Sequence, residues 1–149
     1  MEKPFVLLAD DNEAACTLIR ALLEPDFAVD VASDGAAAIE KLTKNEYAAI
    51  LLDLLMPVVD GYSVLDFVRD QRPGLEQRIL VVTAALSPRE KERVRRYGVR
   101  AIIAKPFEID ALHAAVRDCA GRTGTTYGNG PLLAGAMILM VAAEVLGRV

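Results

Sequence analysis

The sequence predicts an α/β fold in which helices cover both faces of a doubly wound, five-stranded parallel sheet. Five short runs of β-branched and aliphatic residues alternate with segments whose apolar residues recur at helical spacing. Four of these runs end directly at a polar or charged residue, and short, wholly apolar runs are typical of parallel strands buried on both faces. The 149 residues are enough for one such core.

The helix starts carry capping signals in chain order. Asp11 or Asn12 can cap the first helix, and Ser33 or Asp34 can cap the second. The fourth helix begins with Ser87-Pro88-Arg89-Glu90, which combines proline at the first helical position with a capping box. We expect strands near residues 5–9, 27–32, 48–52, 78–82 and 100–104, and helices near residues 12–23, 35–43, 61–70, 88–96 and 107–119.

The last part of the chain departs from this pattern. We expect a domain over residues 1–121, then a linker rich in glycine and threonine over 122–130, then a helix over 131–149 that is apolar on every side. The apolar stretch would span roughly 25 Å, short of the roughly 30 Å bilayer core, and it contains Glu144. We therefore expect a packing or dimerisation helix, with membrane contact as the alternative.

Whole-chain properties narrow the function classes. The net charge of −4 argues against a nucleic-acid-binding protein, whose binding domain would be basic. Cys16 and Cys119 have neither metal-ligand spacing nor a disulfide framework, so we expect free thiols. Residues 1–4 lead straight into a strand without the layout of a signal peptide, which predicts a cytoplasmic protein.

Polar residues at the predicted strand ends form one candidate site. Asp10 and Asp11 follow the first strand, Asp53 the third, Thr83 the fourth and Lys105 the fifth. Because parallel strands deliver their carboxyl ends to one edge, these side chains should converge. Three carboxylates without nearby His or Cys suit Mg²⁺, and a metal, an ammonium and a hydroxyl around one carboxylate suit phosphoryl transfer.

The motifs around these residues resemble the receiver domain of response regulators in two-component signalling, over about residues 4–120. The resemblance implies a flavodoxin-like strand order 2-1-3-4-5, and regulation of partners by protein contact, since the apolar tail has no DNA-binding character. The alternative is that the chain is a piece of a longer protein. The matching segments are Leu8-Ala-Asp-Asp-Asn12, Leu52-Asp-Leu-Leu-Met-Pro-Val-Val-Asp-Gly61, Val82-Thr-Ala84 and Ala104-Lys-Pro-Phe107.

Carried over by position, the resemblance implies a role for each site residue. Asp53 would accept the phosphoryl group from a sensor histidine kinase or a phosphotransfer protein. Asp11, Asp53 and the backbone carbonyl of Leu55 would bind Mg²⁺ directly, and Asp10 largely through water. Thr83 would bond to a phosphoryl oxygen, and Lys105, before a cis proline, would pair with Asp53. Enzymatic activity would be limited to this self-phosphorylation and slow self-hydrolysis.

One position departs from the family pattern. Where the family often carries an aromatic residue or histidine that follows the threonine, this chain has Ile102. Either Ile102 simply packs in the core, or the usual coupling is lost. The apolar tail and Ile102 together motivate an alternative function, a phosphorylation-independent interaction or dimerisation module that keeps the receiver fold.

Weaker features lie on the last two helices. A set of basic side chains on and after the fourth helix is most simply a solvated helix face, and the functional alternative is a docking surface with Glu108, Asp110 and Asp118 as complements. His113 is expected to be an ordinary helix residue. The basic set comprises Arg89, Lys91, Arg93, Arg95, Arg96 and Arg100.

Overall fold

The computed structural model describes residues 3–84 and 86–123, which form an alternating series of strands and helices. The strands are β1 (Phe5–Ala9), β2 (Ala28–Ala32), β3 (Ala49–Leu52), β4 (Ile79–Ala84) and β5 (Ala101–Lys105). The helices are α1 (Glu13–Leu23), α2 (Gly35–Lys44), α3 (Gly61–Gln71), α4 (Pro88–Arg95) and α5 (Ile109–Thr123), and a 3₁₀ helix spans Leu75–Arg78.

The five strands form one parallel sheet in the order β2-β1-β3-β4-β5, which confirms the predicted fold class and strand order. The register aligns the strand ends that matter for the site. Ala9 lies opposite Leu52, so the residues that follow β1 and β3 leave the sheet side by side. Thr83 lies opposite Ala104, one residue before Lys105. The sheet therefore brings the four segments that carry the candidate site residues to its carboxyl edge.

The two faces of the sheet are covered by separate apolar clusters. Alternate residues of a strand point to opposite faces, so Leu8 packs with α1 and α5 while Leu7 packs with α2, α3 and α4. The cluster against α1 and α5 includes Ile19, Leu23, Leu112 and Val116. The other cluster includes Leu42, Val64, Val68 and Val94. A buried sheet between two helical layers leaves the carboxyl edge as the open side for chemistry.

The predicted caps of several helices are present as hydrogen bonds. Asn12 caps α1 by accepting from the amide of Ala15, and Asp34 caps α2 in the same way. The capping box at the start of α4 is complete, with Ser87 and Glu90 each accepting from the other's amide. The sequence left Asp11 and Ser33 as alternative caps, and the structure uses neither.

Some helices and strands begin or end at residues other than those expected from the sequence. The 3₁₀ helix was not expected; it follows Gly74, whose φ of 100° suits glycine. Thr83 and Lys105 lie inside β4 and β5, not beyond them. α5 begins at Ile109 and not at residue 107, because Phe107 packs against the core and the carbonyl of Glu108 accepts the first helical bond.

The C-terminal predictions fall largely beyond the described residues. α5 is described as far as Thr123, which includes the first two positions of the predicted linker. The rest of that linker and the predicted apolar helix over 131–149 lie outside the described ranges. Within 3–84 and 86–123, no helix is both long enough and apolar enough to cross a bilayer.

Candidate functional site

The candidate residues converge at the carboxyl edge as the sequence predicted. Asp53 is buried with 7% exposure, and its carboxylate receives three donors from separate elements. Oδ1 accepts hydrogen bonds from the Thr83 hydroxyl at 2.8 Å and from the Leu55 amide at 3.1 Å. Oδ2 accepts from the Lys105 ammonium at 3.2 Å. Since all three partners donate, the carboxylate is held in one orientation.

Lys105 bridges two carboxylates. Its Nζ lies 2.6 Å from Asp10 Oδ2 as well as 3.2 Å from Asp53 Oδ2. Burial by itself lowers the pKa of Lys105, but the hydrogen bond to Asp10 and the negative charge of Asp53 outweigh it, so the pKa is raised. Lys105 is therefore a fixed positive charge at the site. Asp10 is oriented in turn by the amide of Asn12, which donates to Oδ1 at 2.9 Å.

The three carboxylates form a cluster with room for a cation. Asp10, Asp11 and Asp53 each offer an oxygen, and these oxygens lie within 4.8 Å of one another. Asp10 and Asp53 are buried and Asp11 is exposed, so the cluster opens to solvent on one side. Lys105 supplies one positive charge against three negative charges. An all-oxygen donor set with this excess charge fits a hard divalent ion such as Mg²⁺.

Cys16 lies beside this cluster, a position that the sequence did not predict. Its Sγ donates to the backbone carbonyl of Asp10 at 3.3 Å. Burial and the negative charge of Asp10 raise the pKa of the Cys16 thiol, so it stays protonated and is a poor metal ligand. The Cys119 thiol is buried at the other end of the sheet, where its Sγ lies 3.7 Å from the carbonyl of Ala48. The two thiols therefore lie apart.

The loop between β3 and α3 is held at both ends by glycine amides. The Gly61 amide donates to the carbonyl of Leu54, and the Gly35 amide donates to the carbonyl of Val59. A Cβ at Gly61 would lie 2.5 Å from the carbonyl oxygen of Asp53, and one at Gly35 would lie 2.2 Å from that of Val59. Only glycine fits these approaches, which position the loop that carries the Leu55 amide.

Val58, in the middle of this loop, has a positive φ of 66° and is 93% exposed. A β-branched residue in this conformation is strained, because its Cβ crowds the following carbonyl. Leu55 is also exposed, at 64%. The loop that follows Asp53 thus presents apolar side chains to solvent.

Ile102 packs in the core. It is 5% exposed and belongs to the apolar cluster under α2, α3 and α4. Of the two interpretations left open by the sequence, this geometry agrees with simple packing. The peptide bond between Lys105 and Pro106 is cis, as the resemblance implied.

Several of the basic residues after β4 have partners within the chain. Arg100 pairs with Asp118 of α5 at 3.0 Å, one of the complements considered from sequence. The Arg93 guanidinium lies 3.8 Å above the ring of Tyr62 in α3. His113 contacts Asp26 at 2.8 Å, away from the carboxylate cluster, in agreement with its expected role as an ordinary helix residue.

Comparisons with known proteins give a consistent result. The sequence model of the family described as "Response regulator receiver domain" matches residues 6–117 of this chain. The transcriptional regulatory protein TctD of Salmonella typhimurium is 36% identical over 113 residues, which cover 75% of this chain and 50% of TctD. This chain spans about half the length of TctD and of similar curated regulators.

Solved structures show the same architecture. The receiver domain of a Francisella response regulator is 31% identical, with a TM-score of 0.74 over 81% of this chain and 99% of that one. The receiver domain of a Pseudomonas aeruginosa sensor histidine kinase is also 31% identical, with a TM-score of 0.72 over 80% and 98% of the two chains. That structure has a magnesium ion coordinated in its active-site cleft.

Proposed function

Since this chain belongs to the response regulator receiver family, we propose that it is a phosphoacceptor and that Asp53 receives the phosphoryl group. The observation that supports this assignment most strongly is the set of three donors around the Asp53 carboxylate. Asp53 accepts from a hydroxyl, an amide and an ammonium, the kinds of donor that can also stabilise charge on a phosphoryl group. Each donor comes from a different segment at the carboxyl edge.

The proposed transfer follows from this geometry. One oxygen of Asp53 forms a bond to the phosphorus of a phosphohistidine, the phosphorus–nitrogen bond breaks, and its electron pair returns to the imidazole. Thr83 and Lys105 then donate to phosphoryl oxygens in place of the carboxylate oxygens that they contact now. Thr83 is fully buried, so its hydroxyl is already held in place before the reaction begins and needs no ordering during the transfer.

We assign the cation site to Asp10, Asp11 and Asp53, with the backbone carbonyl of Leu55 as a further ligand. Asp11 and Asp53 would bind Mg²⁺ directly and Asp10 largely through water. The support is the oxygen cluster and the magnesium site of the Pseudomonas aeruginosa relative. Magnesium, when bound, supplies positive charge that offsets the negative charge on the transferring phosphoryl group. Lys105, which contacts both Asp10 and Asp53, supplies a further positive charge at the site.

The proposed partners follow from the reaction. A sensor histidine kinase or a phosphotransfer protein would supply the phosphohistidine, and a downstream protein would read the phosphorylated state by direct contact. Such a reaction belongs in the cytoplasm. Leu55 and Val58 are exposed in the loop that follows Asp53 and offer apolar side chains against which the donor histidine's protein can pack.

Intact-mass spectrometry after incubation with Mg²⁺ and a small-molecule phosphodonor tests the proposal. We expect one phosphate adduct that is labile in base, absent from Asp53→Asn and unchanged in Asp70→Asn, which alters an exposed carboxylate of α3. An adduct on Asp53→Asn would refute the assignment of the acceptor.

Absence of an adduct from folded, Mg²⁺-binding protein, even with a phosphorylated histidine donor protein, would favour the alternative function. That alternative is an interaction module that works without phosphorylation. Its motivation is the residue type at position 102, because an aliphatic isoleucine cannot swing as an aromatic ring does.

A further inference from the structure

The surface between the C-terminal halves of α3 and α4 contains a cavity of about 180 Å³ lined by arginine side chains. Arg69 of α3 and Arg93 of α4 line it, together with Arg96 and Tyr97, which follow α4. A larger open cavity of about 540 Å³ adjoins it and shares Arg93 and Arg96. We call these two cavities the α3–α4 groove. Neither is lined by the carboxylates of the phosphoacceptor site.

The guanidiniums of the groove are only partly neutralised. Among the described residues, Arg93 has no carboxylate within 4.0 Å, and its one close contact is the Tyr62 ring. Arg96 reaches Glu92 only at 3.9 Å, while its side chain is 78% exposed. Arg69, in contrast, pairs with Asp66 and Asp70 at 3.3 Å and 3.0 Å. Arg93 and Arg96 therefore have donors available for an external anion.

Two tyrosines hold the groove in shape. The Tyr97 hydroxyl donates to Asp66 at 2.6 Å and so joins the end of α4 to α3. Tyr62 supports the Arg93 guanidinium from below by a cation–π contact. The Tyr62 hydroxyl is itself buried without a hydrogen-bond partner among the described residues. Such a group is uncommon in folded proteins, and it indicates an unmet polar contact beside Arg93.

The charges around the groove favour an acidic polypeptide over a nucleic acid as the ligand. Glu90 and Glu92 line the larger cavity next to Arg93 and Arg96. A continuous polyanion such as a nucleic acid would meet these carboxylates at close range. A polypeptide with separated acidic side chains can place each carboxylate against a guanidinium and leave the glutamates facing solvent. Arginine forks also match carboxylates in a bidentate geometry.

We propose that the α3–α4 groove binds an acidic segment of a partner protein, with Arg93 and Arg96 pairing with its carboxylates. This docking surface is separate from the phosphoryl-transfer site, and its existence does not depend on the function proposed for Asp53. It concerns a different part of the basic set from Arg100, which is already paired with Asp118.

Fluorescence anisotropy with a short synthetic peptide of alternating glutamate and serine tests the proposal. The peptide with glutamine in place of glutamate and a single-stranded DNA of similar charge serve as comparison ligands. We expect the acidic peptide to bind more tightly than both. The Arg93→Gln and Arg96→Gln double variant should weaken peptide binding by about tenfold, as the loss of two exposed charge-assisted contacts implies. Arg117→Gln on α5 is the matched control and should leave binding within about twofold.

Two further measurements keep the outcome independent of folding and of phosphorylation. Arg93→Lys keeps the charge but loses the planar fork, so its binding should lie between that of the wild type and that of the double variant. Amide shifts on adding peptide should centre on residues 61–71 and 88–97. Equal binding of the DNA, an equal loss in Arg117→Gln, or shifts centred elsewhere would each overturn the proposal. The phosphate adduct on Asp53 is measured separately, so its failure would not be confused with failure of the groove.

Discussion

Replacing Asp11 with asparagine is expected to stabilise the metal-free protein and to remove most of its stabilisation by Mg²⁺. Asp11 offers an oxygen within 4.8 Å of the oxygens of Asp10 and Asp53. It is exposed, so the dielectric constant of water is the appropriate choice, and each unit charge at that distance repels by about 0.9 kcal/mol. Lys105 offsets one of the two neighbouring charges. The net relief is therefore about 1 kcal/mol, or about 4 °C in Tm.

Thermal unfolding in EDTA and in Mg²⁺ measures both parts of this prediction. At ten times its Kd, a ligand of the native state adds about 1.4 kcal/mol to the free energy of unfolding. Wild-type protein should show this increase, and Asp11→Asn should lose most of it because a proposed direct ligand is gone. Asp70→Asn, which removes an exposed carboxylate beside Arg69, should change stability by less than about 0.5 kcal/mol and keep the Mg²⁺ response.

Two results would refute this reasoning. If Asp11→Asn lowered Tm in EDTA, the carboxylate cluster would not be a source of repulsion. If Mg²⁺ raised the Tm of Asp11→Asn as much as that of the wild type, Asp11 would not be a ligand. Neither result would bear on the assignment of Asp53 as the acceptor, which the intact-mass experiment tests separately.

Substitutions at three other positions probe the strained loop, the hydroxyl at the site and the pH dependence. Val58→Gly should stabilise the protein by about 1 kcal/mol in thermal unfolding, because it relieves the positive φ of 66°, and Val58→Ala, which keeps a Cβ, should recover less. Thr83→Val should slow phosphate uptake by about tenfold in intact-mass time courses, whereas Thr83→Ser should stay near wild type; equal rates would contradict the role of the hydroxyl. Burial alone would raise the pKa of Asp30, but hydrogen bonds from Lys41 and Tyr47 outweigh it and hold the pKa below its usual 3.8. Asp30 therefore stabilises the fold above that value and loses this contribution as pH falls, so Asp30→Asn should flatten the acid limb of stability measured by urea unfolding.

The carboxyl-edge residues could be placed from sequence because their position depends on backbone topology. An apolar run that ends at Asp10 or Asp53 marks a strand end, and parallel strands share one edge. The same logic placed Thr83 and Lys105 correctly in space, although both lie within their strands. Backbone direction alone was enough for these residues.

Features that depend on side-chain packing or on short irregular segments could not be predicted. The 3₁₀ helix of Leu75–Arg78 is too short to carry a periodic pattern. The stacking of Arg93 on Tyr62 depends on how α3 and α4 are rotated against each other, which sequence spacing does not determine. The contact of Cys16 with the Asp10 carbonyl depends on the exact angle of α1. Ile102 was compatible with two interpretations until its burial was known.

The paired glycines at positions 35 and 61 limit how this protein can diversify. Each amide holds one end of the loop after Asp53, and each lacks the space for even a methyl group. Inserting or deleting a residue in this loop would shift the Leu55 amide relative to Asp53. Sequence drift in this loop is therefore expected as exchange of exposed side chains at constant length. New partner preferences can be acquired at Leu55 and Val58 while the geometry of the acceptor is inherited unchanged.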